Sequence, residues 1–170
     1  MFGRLKEFLK GDYGSPTDEV QAGLDELHIE LMALPEVSKD FTTPEGAILC
    51  LEDAYRKRDI EAAVAAKDFQ TEARRMIESY PKFRAVITDE IVAEFAGVLE
   101  RAFRAGTANR WPEFDKLESY FPKRVVIADG IVSVTEVCRF PDGFFSRQEI
   151  LVVETPAGWR VLHSQQNDEV

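Results

Sequence analysis

Three residues near the C-terminus carry side chains suited to acid–base chemistry. Arg147 and Glu149 lie two positions apart in the segment FFSRQEILVVE, and His163 lies in the next segment, WRVLHSQ. A histidine near a carboxylate can act as a general base, and an arginine can hold an anionic group with two hydrogen bonds. The alternative, which we favour, is a cross-strand Arg–Glu pair at the solvated end of a sheet, with His163 as an ordinary edge residue.

The grouping of these three residues depends on which face of the strands is buried. Alternate side chains of a strand share a face. If Leu151, Val153, Trp159 and Val161 pack inward, Arg147, Glu149 and His163 belong to the same concave face. Trp159 would then line a cavity beside them.

Glu136 is a further candidate for the same cavity. It shares a strand face with Cys138 in the segment IVSVTEVCRF. A buried carboxylate is costly unless it is paired. We therefore expect Glu136 at a boundary position.

Other catalytic chemistry finds little support. The chain has two histidines and two cysteines, and neither Cys50 nor Cys138 has a second cysteine or a histidine at metal-ligand spacing. No nucleotide-binding, hydrolase or zinc-protease motif occurs. The acidic pairs Asp18-Glu19, Glu52-Asp53 and Asp89-Glu90 are interpreted as helix caps or polar faces. We expect no cofactor and no metal.

The charge balance limits the partners. The 170 residues include 31 acidic and 21 basic ones, which gives a net charge of −10. An acidic surface repels phosphate backbones, so nucleic acid is not expected, whereas a basic protein could be attracted. No segment has the roughly 20 apolar residues of a membrane span, and the N-terminus lacks a signal-peptide pattern. The sequence predicts a cytoplasmic protein without a membrane partner.

The last third of the chain sets the fold prediction. Turn signals at Asp129-Gly130, Pro141–Gly143 and Pro156–Gly158 separate four segments, RVVIA, IVSVTEVCRF, FFSRQEILVVE and WRVLHSQ. These segments are rich in β-branched and aromatic residues, which favour strands. Upstream segments have helical periodicity, so we expect an α+β fold with helices on one face of an antiparallel sheet.

Start signals mark the helices. Thr43-Pro44, Asp59 and Thr88 are predicted to cap three of them, and Ser15-Pro16 opens an earlier one with an apolar stripe from Val20 to Leu34. Residues 2–10 could form a short amphipathic helix. We expect a helical extension over residues 1–40 and an α+β domain over 41–170.

The segment TPEGAILCLEDAYRKRDIEAAVAAKDF, residues 43–69, resembles the NTF2-like superfamily, the cone-shaped fold of SnoaL-like and ketosteroid isomerase-like proteins. The ending EILVVETPAGWRVL, residues 149–162, fits the closing hairpin of that family. The resemblance covers residues 41–166 and implies helices packed on a curved antiparallel sheet. It also implies a homodimer formed through the exposed face of the sheet.

The resemblance leaves two functions open. Tyr55 corresponds to a tyrosine on the first helix of the isomerase-like members, but the strand with their catalytic carboxylate is replaced here by helical segments. This departure favours a non-catalytic binding protein, such as an immunity-type toxin inhibitor or a small adaptor. The alternative is an enzyme or ligand binder that uses the cone cavity for isomerase-like or dehydratase-like acid–base chemistry.

Overall fold

The protein has an α+β fold in which the helices precede one antiparallel sheet, as the sequence predicts. The computed structural model describes residues 18–165, so the predicted helix at residues 2–10 and the predicted cap Ser15 lie outside the described residues. The layout is consistent with an NTF2-like cone. The helices are α1 (Asp18–Met32), α2 (Pro44–Lys57), α3 (Ile60–Ala65), α4 (Phe69–Ser79) and α5 (Asp89–Asn109); the strands are β1 (Glu118–Ala128), β2 (Ile131–Arg139), β3 (Phe145–Thr155) and β4 (Gly158–Gln165).

Polar side chains fix where the helices begin. Thr43, Asp59 and Thr88 each accept a hydrogen bond from the backbone amide three residues later, at the starts of α2, α3 and α5. Asp68 caps α4 in the same way. Each cap satisfies an amide that has no partner within the helix. The three predicted helix starts are confirmed.

The sheet is a meander in the order β1-β2-β3-β4. Gly130, Gly143 and Gly158 have positive φ angles at the three turns that the sequence predicts. β1 begins at Glu118, before the predicted segment RVVIA. Pro122 is the reason why the sequence does not predict this part of the strand, because proline is unfavourable inside a sheet. In the structure Pro122 lies at a register shift between Tyr120 and Lys123, on an edge strand, where proline is tolerated.

One side of the sheet, which we call the inner face, packs against α2. Val132, Val134, Ile150, Val152 and Val161 form a buried core there. The α2 residues in contact with it are Ala47 and Ile48. Because α2 presents small and branched side chains to the sheet, the two layers approach closely.

The opposite side, the outer face, is also buried within the single chain. Leu151 and Leu162 are 1% and 0% exposed there. On this face His28 of α1 lies 3.1 Å from the hydroxyl of Tyr120 and contacts the ring of Phe145. Helix α1 therefore packs on the face through which the predicted homodimer would form, and the homodimer stays a prediction.

The far edge of the sheet is closed by backbone contacts from the helical half. Trp159 N donates to Phe41 O at 2.8 Å, and Val161 N donates to Ala66 O at the same distance. Asp68 N in turn donates to Val161 O. The α3–α4 connection therefore acts as a short additional strand along β4.

We predict that Gly158→Ala destabilises the protein by roughly 3 kcal/mol or more, because a Cβ atom there would lie 2.5 Å from Phe41 O on a backbone with φ of +100°. Gly143→Ala is the matched control. Its φ is +87° but no atom lies within 4 Å, so a loss of about 1–2 kcal/mol is expected. Urea unfolding followed by circular dichroism measures both. Equal losses would contradict the close approach at Phe41.

Candidate functional site

A cavity of about 260 Å³ lies between the inner face of the sheet and the helices. We call it the central cavity. Most of its lining is apolar or aromatic, with a few polar groups at two places. It is lined by Ile48, Leu51, Glu52, Tyr55, Lys67, Phe69, Glu72, Leu99, Phe103, Phe114, Glu136, Gln148, Ile150, Val161 and His163.

The first polar place is a pair of carboxyl groups, Glu52 from α2 and Glu136 from β2. Their residues are 2% and 1% exposed. Glu52 accepts hydrogen bonds from Arg56 and from the Ser119 hydroxyl, each at 2.7 Å. Glu136 accepts one from Gln148 through Oε2, and its carboxyl group also has hydrogen bonds with Glu52 and with the Cys138 thiol. Its buried Oε1 atom has no nitrogen or hydroxyl partner.

The carboxyl pair holds a proton. Burial raises the pKa of Glu136 well above its usual value, and the hydrogen bond and charge of Glu52 raise it further. Arg56 and Ser119 stabilise the negative charge on Glu52, so the proton belongs on Glu136. The cavity therefore presents a carboxyl group whose raised pKa favours its neutral form, beside a second carboxyl group that is paired with Arg56.

The second polar place is formed by Lys67, Glu72 and His163. The side chain of Lys67 is 9% exposed and its Nζ lies 3.3 Å from Glu72 Oε2. Nζ also donates a hydrogen bond to the backbone oxygen of Leu162. Apart from this contact with Lys67, Glu72 Oε2 has no hydrogen-bond partner.

His163 completes this second cluster. Its Nδ1 atom is buried and has no hydrogen-bond partner. Burial lowers the pKa of His163, with a smaller opposing effect from the charge of Glu72. The imidazole is therefore neutral near pH 7, and one ring nitrogen is available as a proton acceptor.

Aromatic rings form the wall between the two polar places. Tyr55 stacks on Phe114 with ring centroids 5.7 Å apart, and Phe103 packs on Phe69 at 5.5 Å. Arg56 lies over the Phe114 ring and donates to its backbone oxygen at 3.2 Å. The arginine that stabilises Glu52 thus also holds one side of the wall.

The structure brings three of the six predicted cavity residues together. Tyr55, Glu136 and His163 line the central cavity. The expectation that Glu136 would lie at a boundary is wrong, since the residue is 1% exposed. Its hydrogen bonds with Glu52 and Gln148 offset the free-energy cost of burying the carboxyl group. Trp159 packs against the inner-face core and is not part of the cavity lining.

The conditional grouping of Arg147 and Glu149 with His163 is wrong, whereas the favoured Arg147–Glu149 pair is present at 2.8 Å, within one strand and not across two. The turn at Pro156-Ala157 pairs Thr155 with Gly158 and so pairs Val152, not Leu151 or Val153, with Val161. Arg147 and Glu149 consequently lie on the outer face. There Glu149 accepts hydrogen bonds from Arg147, Ser133 and Thr135.

Sequence reasoning missed Glu52, Lys67, Glu72 and Gln148. Glu52 had a readable signal, because Ile48, Leu51, Glu52 and Tyr55 follow the i, i+3, i+4, i+7 spacing of one helix face. The expectation that Glu52 lies at a helix cap or on a polar face is wrong, since the residue is 2% exposed. Lys67 gave no local signal, since its position depends on the pairing of the α3–α4 connection with β4.

Comparison with known proteins gives no further assignment. No protein-family model matches the chain, and no curated protein sequence is similar to it. Among residues 18–165, none of the helices is long and apolar enough to cross a membrane. The same part of the chain has no group of three or more His, Cys, Asp or Glu side chains that could bind a metal ion.

We predict that Glu136→Gln stabilises the protein at pH 8 by on the order of 1–2 kcal/mol. The pKa of Glu136 is raised in the folded state, so the folded state binds more protons than the unfolded chain above about pH 4.5. The free energy of unfolding therefore falls as pH rises through that range, and glutamine removes this dependence. Urea unfolding between pH 5 and pH 8 measures it.

Glu149→Gln is the control on the outer face. Partial burial raises the pKa of Glu149, but hydrogen bonds from Arg147, Thr135 and Ser133 lower it overall. This carboxylate contributes stability above its unfolded pKa, so its glutamine variant should lose stability at pH 8. The assignment of the buried proton to Glu136 fails if both variants shift stability in the same direction.

Proposed function

We propose that the protein binds a small, neutral and mostly apolar molecule in the central cavity. In this proposal a hydroxyl or carbonyl group of the molecule hydrogen-bonds to Glu136. The single observation that supports it most is the mostly apolar cavity of about 260 Å³, whose lining includes the Glu136 carboxyl group and His163, whose buried Nδ1 atom has no hydrogen-bond partner. Buried polar atoms without partners are rare and costly, and a ligand would supply the missing contact.

The charges around the cavity favour a neutral ligand. Glu52 is matched by Arg56, and Lys67 is matched by Glu72. The raised pKa of Glu136 and the lowered pKa of His163 both favour the neutral forms, so the cavity has no unmatched charge to balance that of a charged ligand. Bringing an unmatched charge into such a site costs several kcal/mol.

The size of the cavity favours a molecule of about one ring with a short chain. Its volume of about 260 Å³ is below the roughly 300–1,000 Å³ of sites for drug-sized ligands. An apolar cavity of about 150 Å³ accommodates benzene. The aromatic wall of Tyr55, Phe103 and Phe114 suits a flat or unsaturated molecule.

The same arrangement would suit acid–base catalysis of the kind found in the enzymes that the sequence resembles. Glu136 offers a proton and neutral His163 can accept one. Both groups line one cavity, which is the condition for their acting on one ligand. The binding proposal does not depend on this chemistry.

The proposal predicts that 3-phenylpropanol raises the melting temperature of the protein, and that propylbenzene, which lacks the hydroxyl group, raises it less. Glu136→Leu should weaken binding of the alcohol by about tenfold while leaving propylbenzene unaffected, because only the alcohol loses a hydrogen bond. Isothermal titration calorimetry measures both affinities.

Two tryptophan variants on α5 provide the matched control. Leu99 lines the cavity, whereas its neighbour Val98 is 47% exposed. Leu99→Trp should fill the cavity and abolish the thermal shift, and Val98→Trp should preserve it. Binding that survives Leu99→Trp would place the ligand elsewhere and remove the proposal.

A second candidate function is binding to a basic protein, and α1 favours it. This helix contains no lysine or arginine, and its exposed carboxylates are Asp18, Glu19, Asp25, Glu26 and Glu30. Ile29 and Met32 on the same helix are 70% and 65% exposed. Apolar side chains among acidic ones are typical of a surface that receives a basic partner.

This second candidate predicts that pull-downs from native cells at low salt recover a protein partner. A variant with Asp25→Asn, Glu26→Gln and Glu30→Gln should lose that partner. The loss follows from weaker electrostatic attraction, so high salt should reduce binding in the same way. A matched triple change elsewhere, Glu90→Gln, Glu94→Gln and Asp89→Asn, should retain the partner. Recovery of nothing except copies of the chain would count against this candidate.

A further inference from the structure

Lys67 has an unusual position for a lysine. It is one of the residues that line the central cavity, and its side chain is 9% exposed. Nζ lies 5.5 Å from the ring centroids of both Phe69 and Phe103. Lysines are almost never this buried without a reason, because the ammonium loses its hydration.

The surroundings of Lys67 favour its neutral amine more than water does. Burial lowers the pKa of Lys67, although the charge of Glu72 and contact with it oppose this shift. Glu72 Oε2 lies 3.3 Å from Nζ and has no other hydrogen-bond partner, so it is placed to accept the ammonium proton. A desolvated lysine beside a proton acceptor is an activated nucleophile.

We infer that Lys67 forms an imine with an aldehyde or ketone that occupies the central cavity. The inference rests on the proposed function, because it names the class of ligand that the same cavity would hold covalently. Two observations carry it: Lys67 lines the cavity with Nζ beside two of its aromatic rings, and Nζ contacts an otherwise unpartnered carboxylate oxygen.

The step balances with the groups present. The Lys67 ammonium gives one proton to Glu72, and the amine nitrogen attacks the carbonyl carbon to form the C–N bond. A proton on nitrogen moves to the former carbonyl oxygen, giving a carbinolamine. Glu72 then returns its proton to that oxygen, the C–O bond breaks and one water molecule departs. A protonated imine stays on Lys67. No oxidant or further reactant is needed.

The probe for this reaction is 3-phenylpropanal, with sodium cyanoborohydride to reduce the imine to a stable secondary amine. Intact-mass and peptide mapping then locate the label. Lys57 is the internal control, since it is exposed and its ion pair with Asp53 raises its pKa. We expect labelling of Lys67 to exceed that of Lys57 by about tenfold or more, because more of its amine is neutral.

Two variants test the site itself. Lys67→Arg keeps the positive charge beside Glu72 but cannot form an imine, so it should lose the fast label while remaining folded. Lys57→Met should leave labelling of Lys67 unchanged. An excess of 3-phenylpropanol should slow labelling of Lys67 by competing for the cavity.

The outcomes separate the two proposals. If 3-phenylpropanol binds but Lys67 is labelled no faster than Lys57, the imine is overturned while the cavity binding stands. If neither compound binds and label spreads over exposed lysines, both proposals fail. Fast labelling of Lys67 that the alcohol suppresses and Lys67→Arg abolishes supports the imine.

Discussion

Two carboxyl groups meet between α2 and β2 with almost no access to water, and the rest of the cavity is arranged around them. Glu52 and Glu136 cannot both be ionised at low cost, because like charges repel strongly in a low dielectric. Arg56 and Ser119 stabilise the charge on Glu52, and the proton stays on Glu136. These contacts join α2, β1 and β2. The packing of the helix on the sheet and the protonation of the pair therefore depend on each other.

Such a pair is a poor way to gain stability alone. Apolar side chains of similar size would hold α2 on the sheet without the cost of desolvating charge. The valines and Ile150 of the inner face already hold α2 on the sheet by packing against Ile48, one helical turn from Glu52. The carboxyl pair is therefore better explained by what enters the cavity than by the fold, and the unpartnered Nδ1 atom of His163 at the second polar place supports the same interpretation.

Local signals predicted the fold, and long-range register limited prediction of the site. Thr43, Asp59 and Gly143 each act within a few residues of themselves, so sequence was sufficient for caps and turns. The face that Arg147 occupies depends instead on how β3 pairs with β4. The sequence analysis assumed that Leu151 and Val153 face inward, and this assumption assigned Arg147 to the wrong face of the sheet. The position of Lys67 could not be predicted from the sequence, because only tertiary pairing brings the α3–α4 connection alongside β4.

The cavity exists because two cores meet there without merging. One core joins α2 to the sheet through Ile48 and Ile150, and the other joins α4 to α5 through Phe69 and Ala73. The central cavity has lining residues from both cores. The backbone pairing of Lys67 with β4 holds the second core against the sheet at one side of the gap. A ligand in this gap would contact both cores at once, so its binding energy would add directly to the association of the helical pair with the sheet.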